Sequence, residues 1–271
     1  MNDILNKERI QSVIEIANLA GDAIMDIYNT GFDYELKDDS SPLTKADLAA
    51  NKIIISELKK LDSSYPIISE ESSYIEFKER SSWERYWLVD PLDGTKEFLK
   101  KNGQFTVNIA LIEKNRPIFG VIRVPAQSKT YWGGIGIGSM KKIDGEEIES
   151  INVRNSSPKK IRVISSRSHK NKALNSYLSK LGSIEEVYIG SSLKFCLLAE
   201  GQADFYPRLG PTSEWDTAAG EAILEFSGGY VLSDTGKKIA YNTSRSLLNP
   251  YFFASSNLEL IDKFLESYKR S

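Results

Sequence analysis

A single cysteine, Cys196, stands in 271 residues, so the chain cannot form an intrachain disulfide framework. It sits in the apolar run Leu193 to Ala199, which assigns it to packing, because free cysteines are among the most buried residue types. His169 is the only histidine, which argues against phosphotransfer built on a nucleophilic imidazole and its partners. No apolar stretch approaches the roughly 18 residues needed to span a bilayer, and no cationic start leads into a short apolar segment. A soluble, cytoplasmic protein without integral membrane contact is expected. Charge of one sign is also lacking: 35 basic and 37 acidic residues leave a net charge of −2, with none of the basic excess that nucleic-acid binding calls for. Repeats and low-complexity stretches are absent. The hydrophobic share of 41% is ordinary for a globular chain, and the length allows one large or two joined domains.

Apolar residues Ile10, Val13, Ile14, Ala17, Ala20, Ile24 and Ile27 recur at helical spacing, which predicts an amphipathic helix over Lys7 to Tyr28 ahead of Gly31. A second helix is predicted from Thr44 to Leu61, capped by Thr44 with Asp47 three residues on in a capping-box arrangement. From Phe105 the pattern turns to strands: Phe105 to Ile112, a turn at Asn115 to Pro117, Ile118 to Val124, Tyr131 to Ile137, and Lys141 to Ile148 interrupted at Asp144-Gly145. This implies an antiparallel sheet. The glycines of Gly133 to Gly138 miss the G-x-G-x-x-G spacing of a dinucleotide-binding turn and read as strand and turn. Beyond Pro158 the order is strand (Ile161 to Ser165), helix (Lys170 to Leu181), strand (Glu185 to Ile189), helix (Leu193 to Glu200), strand (Ala203 to Tyr206) and helix (Asp216 to Phe226), an α/β alternation. Asn155 to Lys160 is therefore the expected boundary between an α+β half, 1–157, and an α/β half, 158–271.

The most informative stretch is Trp87-Leu-Val-Asp90-Pro-Leu-Asp93-Gly-Thr95-Lys-Glu-Phe98. Tyr86 to Val89 read as a buried strand, Pro91 stiffens the turn after it, and Asp93-Gly94-Thr95 open a segment whose backbone amides could hold an anion. Elsewhere Pro66-Ile-Ile-Ser-Glu70-Glu71 ends an apolar run in paired acids, and Glu214-Trp215-Asp216 starts a helix at an acidic cap. Glu70, Asp90, Asp93 and Asp216 form an open set of hard oxygen ligands of the kind Mg²⁺ shares with a substrate phosphate. Each residue also has a plain structural reading: an Asp before Pro makes a turn, Asp-Gly is a turn dipeptide, and Asp216 is an ordinary helix cap.

Taken together, Ser69-Glu70-Glu71, Asp90-Pro-Leu-Asp93-Gly-Thr95 and Glu214-Trp-Asp216-Thr-Ala-Ala-Gly220 resemble the lithium-sensitive, Mg²⁺-dependent phosphatases of the inositol monophosphatase superfamily. Trp87 to Phe98, Asn102 to Ile112, and Ser191-Ser-Leu-Lys194 through Tyr206-Pro-Arg208 look like its 3′(2′),5′-bisphosphate nucleotidase branch. The likeness runs from about Pro42 to about Gly229. It implies a five-layer αβαβα sandwich, α+β in one half and α/β in the other, with the metal site in the cleft between them.

The resemblance implies that Glu70, Asp90, Asp93 and Asp216 hold two or more Mg²⁺ ions, and that Leu92 ligates through its carbonyl. It implies that Asp47 orients Thr95, whose hydroxyl acts with Glu70 in activating the attacking water, and that the Gly94 and Thr95 amides hold the scissile phosphate. Ser191, Lys194 and Arg208 match contacts to the second phosphate and sugar, and His169 lies near the base. Arg123 departs from the pattern, standing where relatives have an aromatic or apolar residue, and implies an altered surface or interface. The expected substrate is 3′-phosphoadenosine 5′-phosphate, a small nucleotide bisphosphate, cleaved to AMP and phosphate without a phospho-enzyme. Relatives have also been placed at the inner face of the membrane, a peripheral contact that no residue here explains. Two other readings stay open: an inositol or sugar phosphate phosphatase of the same superfamily, and a non-catalytic phosphate or metal sensor.

Overall fold

The computed structural model describes residues 5–30, 34–36, 42–154, 160–165, 178 and 183–269. The chain opens with helix α1 (Lys7–Thr30), a short antiparallel pair β1 (Tyr34–Leu36) and β2 (Pro42–Thr44), and helix α2 (Lys45–Leu61). Next come β3 (Ile67–Ser69), α3 (Phe77–Arg80), β4 (Arg85–Asp93), α4 (Thr95–Leu99), β5 (Thr106–Glu113), β6 (Arg116–Val124), β7 (Lys129–Gly134), β8 (Gly138–Ile143) and β9 (Glu149–Ile151). Strands β3 to β9 form a seven-stranded sheet in sequence order. It is antiparallel as expected except at its edge, where β3 pairs with β4 in parallel and so brings Ser69 beside Val89.

Alternation along β4 and β5 builds two cores at once, because successive side chains leave opposite faces of a strand. Trp87, Val89, Val107, Ile109 and Leu111 pack under α1 and α2. Tyr86, Leu88, Ala110 and Ile112 face the other way, into a cluster that includes Leu193, Phe195, Ala219 and Ile223. These last residues belong to α5 (Leu193–Ala199) and α6 (Ala218–Phe226), which form the middle layer. Gly120 and Gly133 let α6 lie close on the sheet: a Cβ at Gly120 would stand 2.5 Å from the Ala219 carbonyl oxygen.

The second sheet combines β10 (Ile161–Ser165), β11 (Ile184–Tyr188), β12 (Phe205–Arg208), β13 (Tyr230–Ser233) and β14 (Phe252–Ser255) in the order β11-β10-β12-β14-β13. Its first three strands are parallel and its last two antiparallel to their neighbours. Helix α7 (Leu258–Lys269) covers the far face, where Ile261, Phe264 and Leu265 meet Val163, Phe205 and Phe253. The result is the five-layer αβαβα sandwich. Among the described residues no helix is long and apolar enough to cross a membrane.

Several local expectations shift. Strand β4 does not stop at Val89 but runs on to Asp93 through an irregularity between Asp90 and Asp93, so Pro91 sits in a bulge rather than a turn. The β5–β6 turn falls at Lys114 and Asn115, both with positive φ, and Pro117 already lies in β6. Asp144-Gly145 divides the predicted last strand into the separate partners β8 and β9. Arg123 makes no surface feature: it is 4% exposed, donates to Asp144 at 2.6 and 2.8 Å, and packs its stem against Gly21 of α1. Cys196 is fully buried. The boundary at Asn155 to Lys160, apart from Lys160, lies outside the described residues, as do His169 and most of the helix predicted over Lys170 to Leu181.

Candidate functional site

The bulge in β4 positions the first part of the site. Asp90, 1% exposed, accepts a hydrogen bond from the Leu92 amide at 3.0 Å, which folds the backbone back on the carboxylate. Gly94 then takes φ +93 as the residue capping α4, where an added Cβ would lie 3.1 Å from the Gln104 carbonyl oxygen. Only glycine adopts this left-handed geometry at low cost. From the other half, Asp216 ends a short 3₁₀ turn, Glu214–Asp216, directly before α6. By residue type Asp216 is the expected cap itself. Instead Ser213 is the cap, and Asp216 Oδ2 accepts from its amide at 2.9 Å and from the Thr212 hydroxyl at 2.7 Å.

Glu70, Asp90 and Asp216 each offer one carboxylate oxygen, and the three oxygens lie within 4.8 Å of one another. Such proximity is costly for bare charges. Burial, then Glu70, Asp93, Asp216 and Asp47, push the Asp90 carboxyl well above its ordinary range. Burial also raises Asp216, against the hydrogen bond from Thr212. Asp93 is pushed up to about 6 by burial and by Asp216, with Lys194 and Ser192 opposing. A set of hard oxygen donors that raise one another's affinity for a proton is equally suited to a small divalent cation, so the residues fit a metal.

Asp47 lies at the start of α2, 1% exposed, and performs two tasks with its two oxygens. Oδ2 accepts from the Thr44 amide at 2.7 Å and the Thr44 hydroxyl at 2.6 Å, completing the capping box. Oδ1 faces Thr95 Oγ1 at 3.3 Å, and the same hydroxyl lies 3.4 Å from the Leu92 carbonyl. Capping and contact with Thr95 therefore coexist.

A cleft of about 340 Å³ takes in the other site residues expected from the sequence that are described: Glu70, Asp90, Leu92, Asp93, Gly94, Thr95, Ser191, Lys194, Arg208 and Asp216 all line it, while His169 lies outside the described residues. Lys194 is 6% exposed, donates to the Ser191 carbonyl at 2.7 Å, and sits 5.6 Å from the centre of the Tyr206 ring. Burial lowers its pKa to about 8, against Asp93, Glu97 and Asp216, with Arg208 adding to the depression. Arg208 donates to the Pro211 carbonyl at 2.6 Å, while its buried Nε has no partner among the described residues. Ser191 holds φ +47, an unusual value for a side chain that is not glycine. Ser192, Tyr206 and Thr212 also line the cleft but were given no role from the sequence. The Ser191-Ser192 pair offered a signal for the first, whereas Thr212 offered none.

The profile of the inositol monophosphatase family matches residues 6–269. The chain is 47% identical over 245 residues to the 3′(2′),5′-bisphosphate nucleotidase CysQ of Salmonella typhimurium, covering 90% of this chain and 98% of that protein. The CysQ of Buchnera aphidicola is 44% identical across 94% of this chain and 96% of its own length. Among solved structures, CysQ from Bacteroides thetaiotaomicron superposes with a TM-score of 0.81 at 36% identity, over 94% of this chain and all (100%) of that one. An IMPase from Thermotoga maritima, 23% identical, shares the fold with a TM-score of 0.80 over 97% of each chain. With the profile matched almost end to end and relatives this similar over nine-tenths of its length, the chain belongs to the inositol monophosphatase family.

Proposed function

We propose that this chain is a Mg²⁺-dependent phosphatase that removes the 3′-phosphate of 3′-phosphoadenosine 5′-phosphate, releasing AMP and phosphate. One observation carries the reading: a single cleft joins a three-carboxylate cluster to the buried Lys194 and the half-buried Arg208. An inositol monophosphate has no second phosphate to occupy the cationic end. Similarity to the CysQ nucleotidases supports the same substrate class.

In this reading Glu70, Asp90, Asp93, Asp216 and the Leu92 carbonyl hold two or more Mg²⁺ ions. The ions supply Lewis acidity and a lowered pKa for water, which phosphate-monoester hydrolysis needs because its uncatalysed rate is so low. The chain's own groups do the positioning. Asp47 accepts a hydrogen bond from the Thr95 hydroxyl and so turns an Oγ1 lone pair toward the attacking water, which Glu70 helps to activate. The Gly94 and Thr95 amides hold the phosphate, while Ser191, Lys194 and Arg208 take the 5′-phosphate and sugar; His169 is assigned to the base. Residues 1–157 supply Glu70, Asp90 and Asp93, and residues 158–271 supply Lys194, Arg208 and Asp216, so we propose these as two halves meeting at the cleft. A cytoplasmic location, with or without peripheral membrane contact, belongs to the same proposal.

The test is phosphate release with Mg²⁺ from 3′-phosphoadenosine 5′-phosphate, inositol 1-phosphate, fructose 1,6-bisphosphate and AMP. Preference for the first is expected. Lys194→Ala should raise KM for it by roughly 10- to 100-fold, the scale of a lost charged hydrogen bond, and change KM for a simple monophosphate far less. Equal effects on both would overturn the subsite assignment, and no release from any substrate would revive the sensor reading.

A further inference from the structure

Ser192 joins the two halves of the site. It is 2% exposed and sits directly before α5. Its amide donates to Asp93 Oδ2 at 2.5 Å. Its hydroxyl oxygen lies 2.6 Å from the same Oδ2 and 2.6 Å from the Asp216 carbonyl oxygen. A third partner completes the arrangement: Asn108 Nδ2 donates to Ser192 Oγ at 2.9 Å. Asn108 is 1% exposed and stands opposite Asp90 across the β4–β5 ladder.

Each contact constrains the next. A hydroxyl carries one proton and two acceptor sites. Asn108 fills an acceptor site, so the proton is directed to either Asp93 Oδ2 or the Asp216 carbonyl and cannot serve both. Donation to the carboxylate is the stronger of the two, because charge-assisted hydrogen bonds are roughly twice as strong as neutral ones. With two donors on Oδ2, Asp93 is held in one rotamer and its Oδ1 remains as the oxygen available for a cation. Because the amide by itself keeps hold of Asp93, the hydroxyl can also turn its proton to the Asp216 carbonyl, and Ser192 so ties the strand that carries Asp90 and Asp93 to the turn that carries Asp216.

We infer that Ser192, oriented by Asn108, is a positioning residue that pre-forms the metal site by holding Asp93 in register with Asp216. The inference rests on the metal reading above. Outer partners of metal ligands commonly contribute about 10- to 100-fold in metal affinity or activity.

The test is calorimetric titration of Mg²⁺ into chelator-treated protein, with kinetics alongside. Ser192→Ala should bind Mg²⁺ about 10- to 100-fold more weakly. Its kcat at low Mg²⁺ should fall and recover as Mg²⁺ is raised, with KM for the bisphosphate little changed. Ser192→Thr, which restores the hydroxyl, should regain affinity. Asn108→Ala should weaken Mg²⁺ binding on its own yet add nothing in the Ser192→Ala background, because it acts only through that hydroxyl; should Ser192→Ala not fold, Asn108→Ala alone carries the titration. Mg²⁺ affinity within about twofold of the unaltered protein, the ordinary limit of independent sites, overturns the inference even if the melting temperature drops. An unaltered protein that binds no Mg²⁺ would instead overturn the metal reading beneath it.

Discussion

Two groups of carboxylates, one ahead of α6 and one within it, stand in different electrostatic company. Within the helix, Glu221 in the first turn and Glu225 one turn further on share Arg116, which stands 2.9 Å from each, and the Tyr241 hydroxyl donates to Glu221. That group contains its own cation. Before the helix begins, Glu70, Asp90 and Asp216 converge, and after burial the largest influences on Asp90 are the carboxylates Glu70, Asp93, Asp216 and Asp47. Carboxylates this close raise one another's affinity for a positive charge, and a bound cation offsets that repulsion. Burial and acidity alone therefore do not mark a site; the source of the counter-charge does.

The comparison breaks most sharply at Asp90. Asp90→Asn should lower phosphatase activity by about 10²- to 10³-fold, the scale of removing one electrostatic stabiliser. The metal-free variant should melt no lower than the unaltered protein, because a repulsive charge is gone. Calorimetry and phosphate release on the same sample check both halves of the statement.

Arg116→Ala should do the reverse. It removes the cation shared by Glu221 and Glu225 and should cost roughly 3 kcal/mol, the lower end for breaking a buried pair, measured by urea unfolding. At temperatures where the variant is fully folded its kcat should stay near that of the unaltered protein. A large loss of activity without loss of stability would erase the distinction between the two groups.

The smallest effect is the pH dependence of the paired group. Burial raises the Glu221 pKa to about 7, with Arg116 opposing. A carboxyl raised on folding stabilises most when both states are protonated. Its contribution is therefore full below the ordinary glutamate value of 4.5 and is lost as pH rises toward about 7. Glu221→Gln should flatten that part of the stability profile, read as unfolding free energy against pH.

Much of this architecture was legible because periodicity reports burial. The α1 stripe at Val13, Ile14, Ala17, Ala20 and Ile24 is buried as predicted, although Ile16 is buried too and lies off the stripe. The opposed faces of β4 and β5 follow from alternation alone. Nothing was predicted beyond Phe226, where β13 and β14 are four residues each and separated by long turns. Segments that short carry too few residues to show a period. Helix α7 did have a readable stripe, in Leu258, Ile261, Phe264 and Leu265. Pro91 misled for a different reason: a proline reads as a turn locally, while a bulge is decided by the strand paired beside it.

The sequence by itself singled out the acidic groups. Glu70, Asp90, Asp93 and Asp216 stand out by residue type and local wording, because turns, caps and acidic pairs are short-range features, whereas Thr95, Lys194 and Arg208 stand out only through the family resemblance. The tertiary structure alone decided which of those groups share a charge. It placed Glu70, Asp90 and Asp216 within reach of a single ion, gave Asp47 both a cap and Thr95, and set Ser192 between Asp93 and the Asp216 carbonyl. Those contacts join positions up to 146 residues apart, from Glu70 to Asp216. Electrostatic coupling depends on distance through space, and that distance exists only once the two sheets have closed on their middle layer of helices.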